Sequence, residues 1–417
     1  MEEKINILKA AAFYYVSHIF AQSSLYKISL RFIERCFPMF VDSETFLQLG
    51  FISVSRILSS SKLHVDSELQ VFNAADRWLY DNITERSKHT KRLLLRIRLS
   101  LLSVSALNFI LNKNSCFKRC NECVGIIKEA LKNKNSFNSN NPSINSRFCD
   151  QDNFNIIYCG GNDVNTQTVV SDVHSVKANS LNTGKIQPSM KEERQFSKIV
   201  CLKGDVYVFG GVDSKNNTVM SIEKYSAAFK SWETIGSMYD NRRMFCVCSF
   251  MDNIYVLGGI KDYLIQETCI EFNTNTWKWK EVAGMNEERC NNESGIVFQE
   301  RIVISGGKHP FQYFNTVEAY DPLADKWSYM PNMVEERSYH KSVSIKNKLF
   351  VVGGYRKTCE VFDSVFNKFV LLVPPLASFK NFLHFPAEVI SISNKVFVFG
   401  YLRKTFLVYD VKNNKWS

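Results

Sequence analysis

The sequence predicts an α + β chain of two parts. A helical region covers 1–134, and an all-β, six-unit propeller covers 154–417. Three observations carry this. A Gly-Gly doublet recurs behind an apolar run at Gly160-Gly161, Gly210-Gly211, Gly258-Gly259, Gly306-Gly307 and Gly353-Gly354. A worn sixth copy is Gly400-Tyr401, and the spacings are 50, 48, 48, 47 and 47 residues. An aromatic residue also stands seven positions before a tryptophan, in step with the doublet. The first third, by contrast, spaces its apolar residues at helical intervals.

The helical elements come first. Ser24 to Phe37 sets Leu25, Ile28, Phe32 and Phe37 near the period of an amphipathic helix. A second helix is expected from about Ser67 to Tyr80. Ser67-Glu68-Leu69-Gln70 reads as a capping box, with Asp66 as the alternative cap. Val71, Phe72, Ala75, Trp78 and Leu79 then share one face. A third helix is expected over about Lys88 to Arg96. Helices with short links and no glycine-rich loop suggest a bundle or helical array. Residues 135–153, rich in Asn and Ser with Pro142, read as a linker.

The β units follow. Val206-Tyr-Val-Phe-Gly-Gly, Ile254-Tyr-Val-Leu-Gly-Gly and Lys348-Leu-Phe-Val-Val-Gly-Gly fit buried strands ended by a sharp glycine turn. An apolar strand precedes each, such as Phe245-Cys-Val-Cys-Ser-Phe. Two outer strands follow, one with the aromatic and one with the tryptophan. The pairs are Tyr225 and Trp232, Phe272 and Trp279, Tyr320 and Trp327, and Tyr409 and Trp416, with Phe362 and Phe369 as a degenerate version. Met190, Met238, Met285 and Met333 keep the same period. Four residues beyond each lie Arg194, Arg242, Arg289 and Arg337. Four strands in about 48 residues, repeated in a ring, make a propeller, because one small sheet cannot bury both its faces alone. The first unit, from Phe154, shows no convincing inner strand and lacks the Tyr and Trp pair. One blade is therefore expected to hold three strands, with a seam and an exposed edge.

The doublet with its spaced Tyr and Trp resembles the kelch repeat over 154–417. The first part resembles the BACK domain, through Leu30-Arg-Phe-Ile-Glu-Arg-Cys-Phe37, Thr45-Phe-Leu-Gln-Leu49 and Ile57 to Phe72. Trp78, Arg86 and Arg98-Leu-Ser-Leu-Leu102 complete that resemblance. BACK followed by kelch is the order of the kelch-like (BTB–BACK–kelch) proteins. A complete BTB domain is missing ahead of it, with a BTB remnant as one reading of 1–16. Family propellers close with a C-terminal strand joined to the first blade, whereas this sequence stops one residue after Trp416. In the family, BTB makes the dimer and most of the contact with a cullin scaffold, so both are placed in doubt.

Composition limits the function. The chain has 417 residues, 45% of them hydrophobic, and a formal net charge of +11. That excludes a disordered chain and suits two or three domains. No apolar run approaches the ~20 residues of a membrane span, and the charged start is no secretory signal. The expectation is a cytoplasmic protein. The basic excess is +8 over 1–150 and +3 over the remainder, scattered at helical spacing with no nucleic-acid motif. Twelve cysteines without a framework spacing read as reduced thiols. Cys120 and Cys123 form one C-x-x-C, with Cys116 before it, but no second pair completes a zinc site. The sequons at Asn82, Asn216 and Asn292 matter only in a secreted chain.

The resemblance implies a non-catalytic interaction module, the substrate-recognition part of a cullin-RING ubiquitin ligase adaptor. A protein substrate would sit on the propeller face, and the cullin scaffold would meet the BACK arm. The expected partner face comprises Tyr355, Lys308, Arg194, Arg243, Arg289, Arg337 and Tyr339. Arginine forks and tyrosine rings suit acidic or backbone-rich peptides. The competing reading of the arginines is a repeated brace inside the propeller. Glu192, Glu193, Glu287, Glu288, Glu335 and Glu336 beside them would neutralise the face. The alternatives are an actin or cytoskeletal binder, and a BTB-less decoy that binds substrate without ligase coupling. An enzyme of the galactose oxidase kind would need copper held by Tyr and His. His18, His64, His89, His174, His309, His340 and His384 show no paired spacing, and no nucleophile or P-loop motif is present. No cofactor, metal, nucleic acid or membrane is expected.

Overall fold

The computed structural model describes residues 14, 23–65, 67–135, 155–163, 166–177, 184–226, 229–290, 295–345, 348–364, 366–372, 383, 386, 388–392, 394–400 and 406–417. The chain divides into two compact units, 1–150 and 151–417. The expected BTB remnant, most of the linker, and His18 and His384 lie outside the described residues, as does Asp66.

The first unit is helical. Its elements include Ser23–Arg35, Phe37–Val41, Phe51–Ser59, Glu68–Asp81, Thr90–Leu94, Val104–Asn112 and Asn121–Asn135. The expected helix through Phe37 breaks one residue after Arg35, and Pro38 opens a new short helix, where its missing N–H costs nothing. Ser67 caps Glu68–Asp81, its hydroxyl oxygen accepting from Leu69 N at 2.9 Å. Val71, Phe72, Ala75, Trp78 and Leu79 are all buried, as their spacing predicts. The Trp78 ring donates to Leu49 O at 2.8 Å, and Arg86 lies over that ring while donating to Leu47 O and Trp78 O. The third expected helix is shorter, with a 3-10 turn at Ser87–His89 ahead of Thr90–Leu94.

The second unit is a propeller of five four-stranded blades rather than six. The first repeat contributes a three-stranded sheet, Asn155–Asn162, Val169–Lys177 and Gly184–Gln187. The second blade is Lys198–Leu202, Asp205–Phe209, Ser221–Ser226 and Ser231–Ser237. The third to sixth begin at Cys246, Gly295, Lys341 and Glu388. Every pairing within a blade is antiparallel. The first sheet begins with the doublet-bearing strand, so the position nearest the axis is what it lacks among the described residues. The neighbouring inner strand Lys198–Leu202 is correspondingly open. Its Ile199 and Cys201 are exposed, whereas the third blade's inner strand, Cys246–Phe250, alternates buried and half-buried.

Stacking of blades makes the core. Each aromatic–tryptophan pair is a direct cross-strand neighbour, for example Tyr225 opposite Trp232 and Tyr320 opposite Trp327, with ring centroids 5.3 Å apart. The tryptophans also reach back to the preceding sheet. Trp232, Trp279 and Trp327 donate to Pro188 O, Ser237 O and Ala283 O at 2.8–2.9 Å. Phe272 and Trp279 lie 4.8 Å apart, Phe362 and Phe369 5.1 Å, and Tyr409 and Trp416 5.0 Å.

The doublets need glycine for a steric reason. At Gly258, φ is +59°, and a Cβ would lie 2.6 Å from Arg289 O and 2.9 Å from the buried Met285 Cε. Gly160 and Gly306 are crowded in the same way by Arg194 O with Met190 and by Arg337 O with Met333. Met190, Met285 and Met333 are thus the floor beneath three of the doublets, and Phe245 takes that place at Gly210.

Candidate functional site

Antiparallel order puts one set of loops at one end of the propeller. Each doublet strand runs toward its glycines, so the loop after every doublet emerges there. The connection from one blade to the next emerges there too. Isolated bridges tie the two kinds of loop together, Gln195 to Val212, Arg243 to Ile260 and Cys290 to Lys308. This loop face is the candidate site.

The structure separates the expected site residues into two groups. Arg194, Arg289 and Arg337 are 0% exposed and do not lie on the surface of this face. Each instead stitches two successive sheets. The Arg194 carbonyl accepts from Gly161 N of the first sheet, while its guanidinium donates to Gly210 O and Glu223 of the second. Arg289 joins Gly259 to Gly306 and Glu318, and Arg337 joins Gly307 to Gly353 and Glu360. The ion-pair distances are 2.7, 2.5 and 2.5 Å, with both partners fully buried. The glutamates are held in turn by backbone amides, such as Lys191 N and Glu192 N on Glu223 and Val334 N and Glu335 N on Glu360. A repeating arginine needs a repeating acceptor set, and the doublet carbonyl with the buried glutamate supplies it.

These glutamates were not singled out from the sequence. Their signal is a Glu two residues before the repeat aromatic, at Glu223, Glu318 and Glu360. The third blade departs from it. Ile270 holds that place, and Arg242 pairs with Asp240 at 2.6 Å instead. Burial works to raise the Asp240 carboxyl. The hydrogen bonds and charge of Arg242, with help from Lys261, overcome it and hold the carboxyl below its ordinary value. In the sixth blade the buried Leu383 sits against Gly353 where the other blades present arginine.

The second group does lie on the face. Arg243 is exposed, its Nε donating to Thr218 Oγ1 at 2.7 Å. Lys308 is half-buried on the strand Lys308–His309, and Tyr339 is half-buried with φ +54°. Tyr355 is 55% exposed and stacks on Tyr313, with ring centroids 5.6 Å apart and planes within 12°.

Sequence reasoning missed the most prominent feature here, a set of apolar loop tips. The hairpin Ile260–Lys261 with Leu264–Ile265 turns through Asp262 and Tyr263, at φ +50° and +66°. Tyr263 is 100% exposed, and Leu264 beside it is exposed too. The hairpin Lys308–His309 with Gln312–Tyr313 turns through Pro310 and Phe311, and Phe311 is 95% exposed. Phe196 and Met244, each two residues after a repeat arginine, are exposed with φ near +55°. A non-glycine residue in this left-handed region carries strain of about 1 kcal/mol or more. Their clearest signal was a large ring directly after a turn former, Tyr263 after Asp262 and Phe311 after Pro310.

The histidines do not converge. His309 is half-exposed on its hairpin, and His340 is buried, 2.9 Å from Ser305 Oγ through Nε2. Among the described residues, no group of three His, Cys, Asp or Glu side chains is arranged to hold a metal ion. Cys120 and Cys123 are free thiols, and burial pushes the Cys123 thiol up to about 12. No helix among the described residues is long and apolar enough to cross a membrane.

Comparison with known proteins agrees with this architecture. The KLHDC2/KLHL20/DRC7 Kelch-repeats domain matches residues 148–354, and a Kelch motif matches 336–375. BACK, described as BTB And C-terminal Kelch, matches 10–112. The chain is 27% identical to Kelch-like protein 8 of Mus musculus over 198 residues, 45% of this chain and 30% of that protein. It is 28% identical to Kelch repeat and BTB domain-containing protein 3 of Homo sapiens over 131 residues, 31% of this chain and 21% of that protein. It is 32% identical to Kelch-like protein 28 of Mus musculus over 108 residues, 26% of this chain and 19% of that protein. The matched stretches therefore span less than a third of each relative's length. With a BACK region ahead of kelch blades built on the doublet, the aromatic–tryptophan pair and the buried arginine stitch, the chain belongs to the kelch-like family.

Proposed function

We propose that this chain is a non-catalytic interaction protein, the substrate-recognition part of a cullin-RING ubiquitin ligase adaptor. The observation that supports it most is the BACK region followed directly by a kelch propeller whose loop face carries exposed aromatic residues. The mechanism is positional. The propeller holds a protein substrate, the helical arm meets the cullin scaffold, and this chain makes or breaks no bond. Tyr355, Lys308, Arg243 and Tyr339 belong to the proposed contact surface. Arg194, Arg289 and Arg337 support it from beneath by fixing the loops.

The test is calorimetric titration of the purified chain with the N-terminal half of a cullin scaffold, with a full-length BTB–BACK–kelch protein as the positive control. Binding in the micromolar range or tighter supports the adaptor role. A folded chain that does not bind, beside a working control, overturns the ligase link. It would leave a partner-binding propeller uncoupled from the ligase, the decoy or cytoskeletal reading.

A further inference from the structure

Resting on the loop face as the partner site, we infer that it takes an uncharged, apolar protein segment rather than an acidic one. The recognising groups are the tips of the third, fourth and fifth blades: Tyr263, Leu264, Phe311, Tyr313 and Tyr355.

Two observations carry this together. The first is what the face exposes. Tyr263 and Phe311 have almost no protein contact, yet each occupies the tip of a tight hairpin. Two-residue turns with both φ values positive strongly favour Asn-Gly or Asp-Gly, since glycine meets that geometry without strain. Here Asp262-Tyr263 fills the turn, so a large ring is held out where folding alone favours glycine. Tyr313 and Tyr355 form a stacked pair that bridges two blades. Rigid aromatic groups of this kind give large contact area at low entropic cost.

The second is what the face has done with its charges. Arg356 pairs with Glu336 at 2.5 Å, and Lys261 with Asp240 at 3.6 Å. His309 Nε2 lies 3.7 Å from Glu288. Asp262 accepts from the Asn241 amide at 3.2 Å, and Arg243 is turned onto Thr218 Oγ1 and Asn216 O. Three of the four arginines expected to recognise an acidic peptide, Arg194, Arg289 and Arg337, are buried under the loops and paired with Glu223, Glu318 and Glu360. Arg243 and Lys308 are the cations of the expected face without a carboxylate partner among the described residues. At Arg356, Lys261 and His309 a charged partner would have to compete with these pairs. An apolar segment leaves them intact and covers the rings.

The experiment is selection from a random twelve-residue peptide display library on the whole chain. Selected peptides are then titrated against the chain and two variants. One is Asp262→Asn/Tyr263→Gly, which relaxes the turn. The other is Phe311→Ser/Tyr355→Ala. Thermal melting shows that each variant is folded, and the first is expected to melt no lower than the parent. The expected result is enrichment of peptides with several apolar or aromatic residues and little net charge. Their affinity is expected to fall about 10-fold or more in each variant. It is expected to change little between about 50 and 500 mM salt. Enrichment of acidic or basic peptides, bound in a salt-sensitive way and still lost in the Tyr355 variant, overturns the apolar assignment while leaving the partner face standing. Peptides that bind both variants as well as the parent, or no enrichment at all, overturn the assignment and count against the face itself.

Discussion

At the scale of single residues, the repeat arginines show what spacing can and cannot reveal. Their period was legible in the sequence, and so was the choice between a partner surface and an internal brace. Depth was not legible, because a period fixes an end of the propeller and not a distance below its surface. The buried glutamates decide it. Removing Arg289 leaves Glu318 buried with only the Asn286 amides to hold its charge, whereas removing Glu318 leaves Arg289 with Glu287, 2.7 Å away. Arg289→Ala is therefore expected to cost about 3–5 kcal/mol in chemical denaturation, and Glu318→Ala less. The double variant should cost less than the sum of the two, which a thermodynamic cycle measures. A loss below ~1 kcal/mol in both singles would mean that the pair is not a structural lock.

Asp240 makes a matching prediction in pH. Its folded carboxyl sits below its ordinary value, so the unfolded chain binds that proton more readily. Its contribution is then fully present above the unfolded carboxylate range near ~3.9 and is lost as pH falls through the folded value. Asp240→Asn should destabilise the protein at neutral pH and flatten that part of the acid limb of a stability–pH curve. An unchanged acid limb would contradict the assigned ion pair with Arg242.

At the scale of elements, the doublet strands and aromatic–tryptophan pairs were readable because each blade repeats one packing problem. Among the described residues, five complete blades and the short first sheet follow the sequence unit by unit. The loop tips were less readable, since a hairpin tip obeys no repeat. Gly258→Ala should destabilise by about 2 kcal/mol or more, because it meets the Arg289 carbonyl at a positive φ. The opposite holds one hairpin on. Asp262→Asn/Tyr263→Gly should leave stability unchanged or raise it by up to about 1–2 kcal/mol in the same assay. A large loss there would show that Tyr263 supports the fold rather than displaying a contact group.

At the scale of the whole molecule, the ring is not uniform. Inner strands of the second to sixth blades pack side by side, and Ile199 and Cys201 mark where that series opens. Amides of Asn155–Asn162 should therefore exchange with deuterium at least ~10-fold faster than those of Asn253–Leu257, read by mass spectrometry. Equal protection would overturn the open edge. The two-unit organisation was legible from the switch in periodicity. The placement of the arginines needed coordinates, since it depends on residues of two sheets at once.

The stitch also has a consequence for how the chain is made. Arg194 leaves the ribosome 29 residues ahead of Glu223, Arg289 29 ahead of Glu318, and Arg337 23 ahead of Glu360. At synthesis rates of roughly 5–20 residues per second, each guanidinium waits on the order of seconds for that buried carboxylate, with only Glu192, Glu287 or Glu335, two residues before it, already made. Each stitch can therefore close only once the following blade's glutamate strand has been made, so the stitches become available in the order of translation.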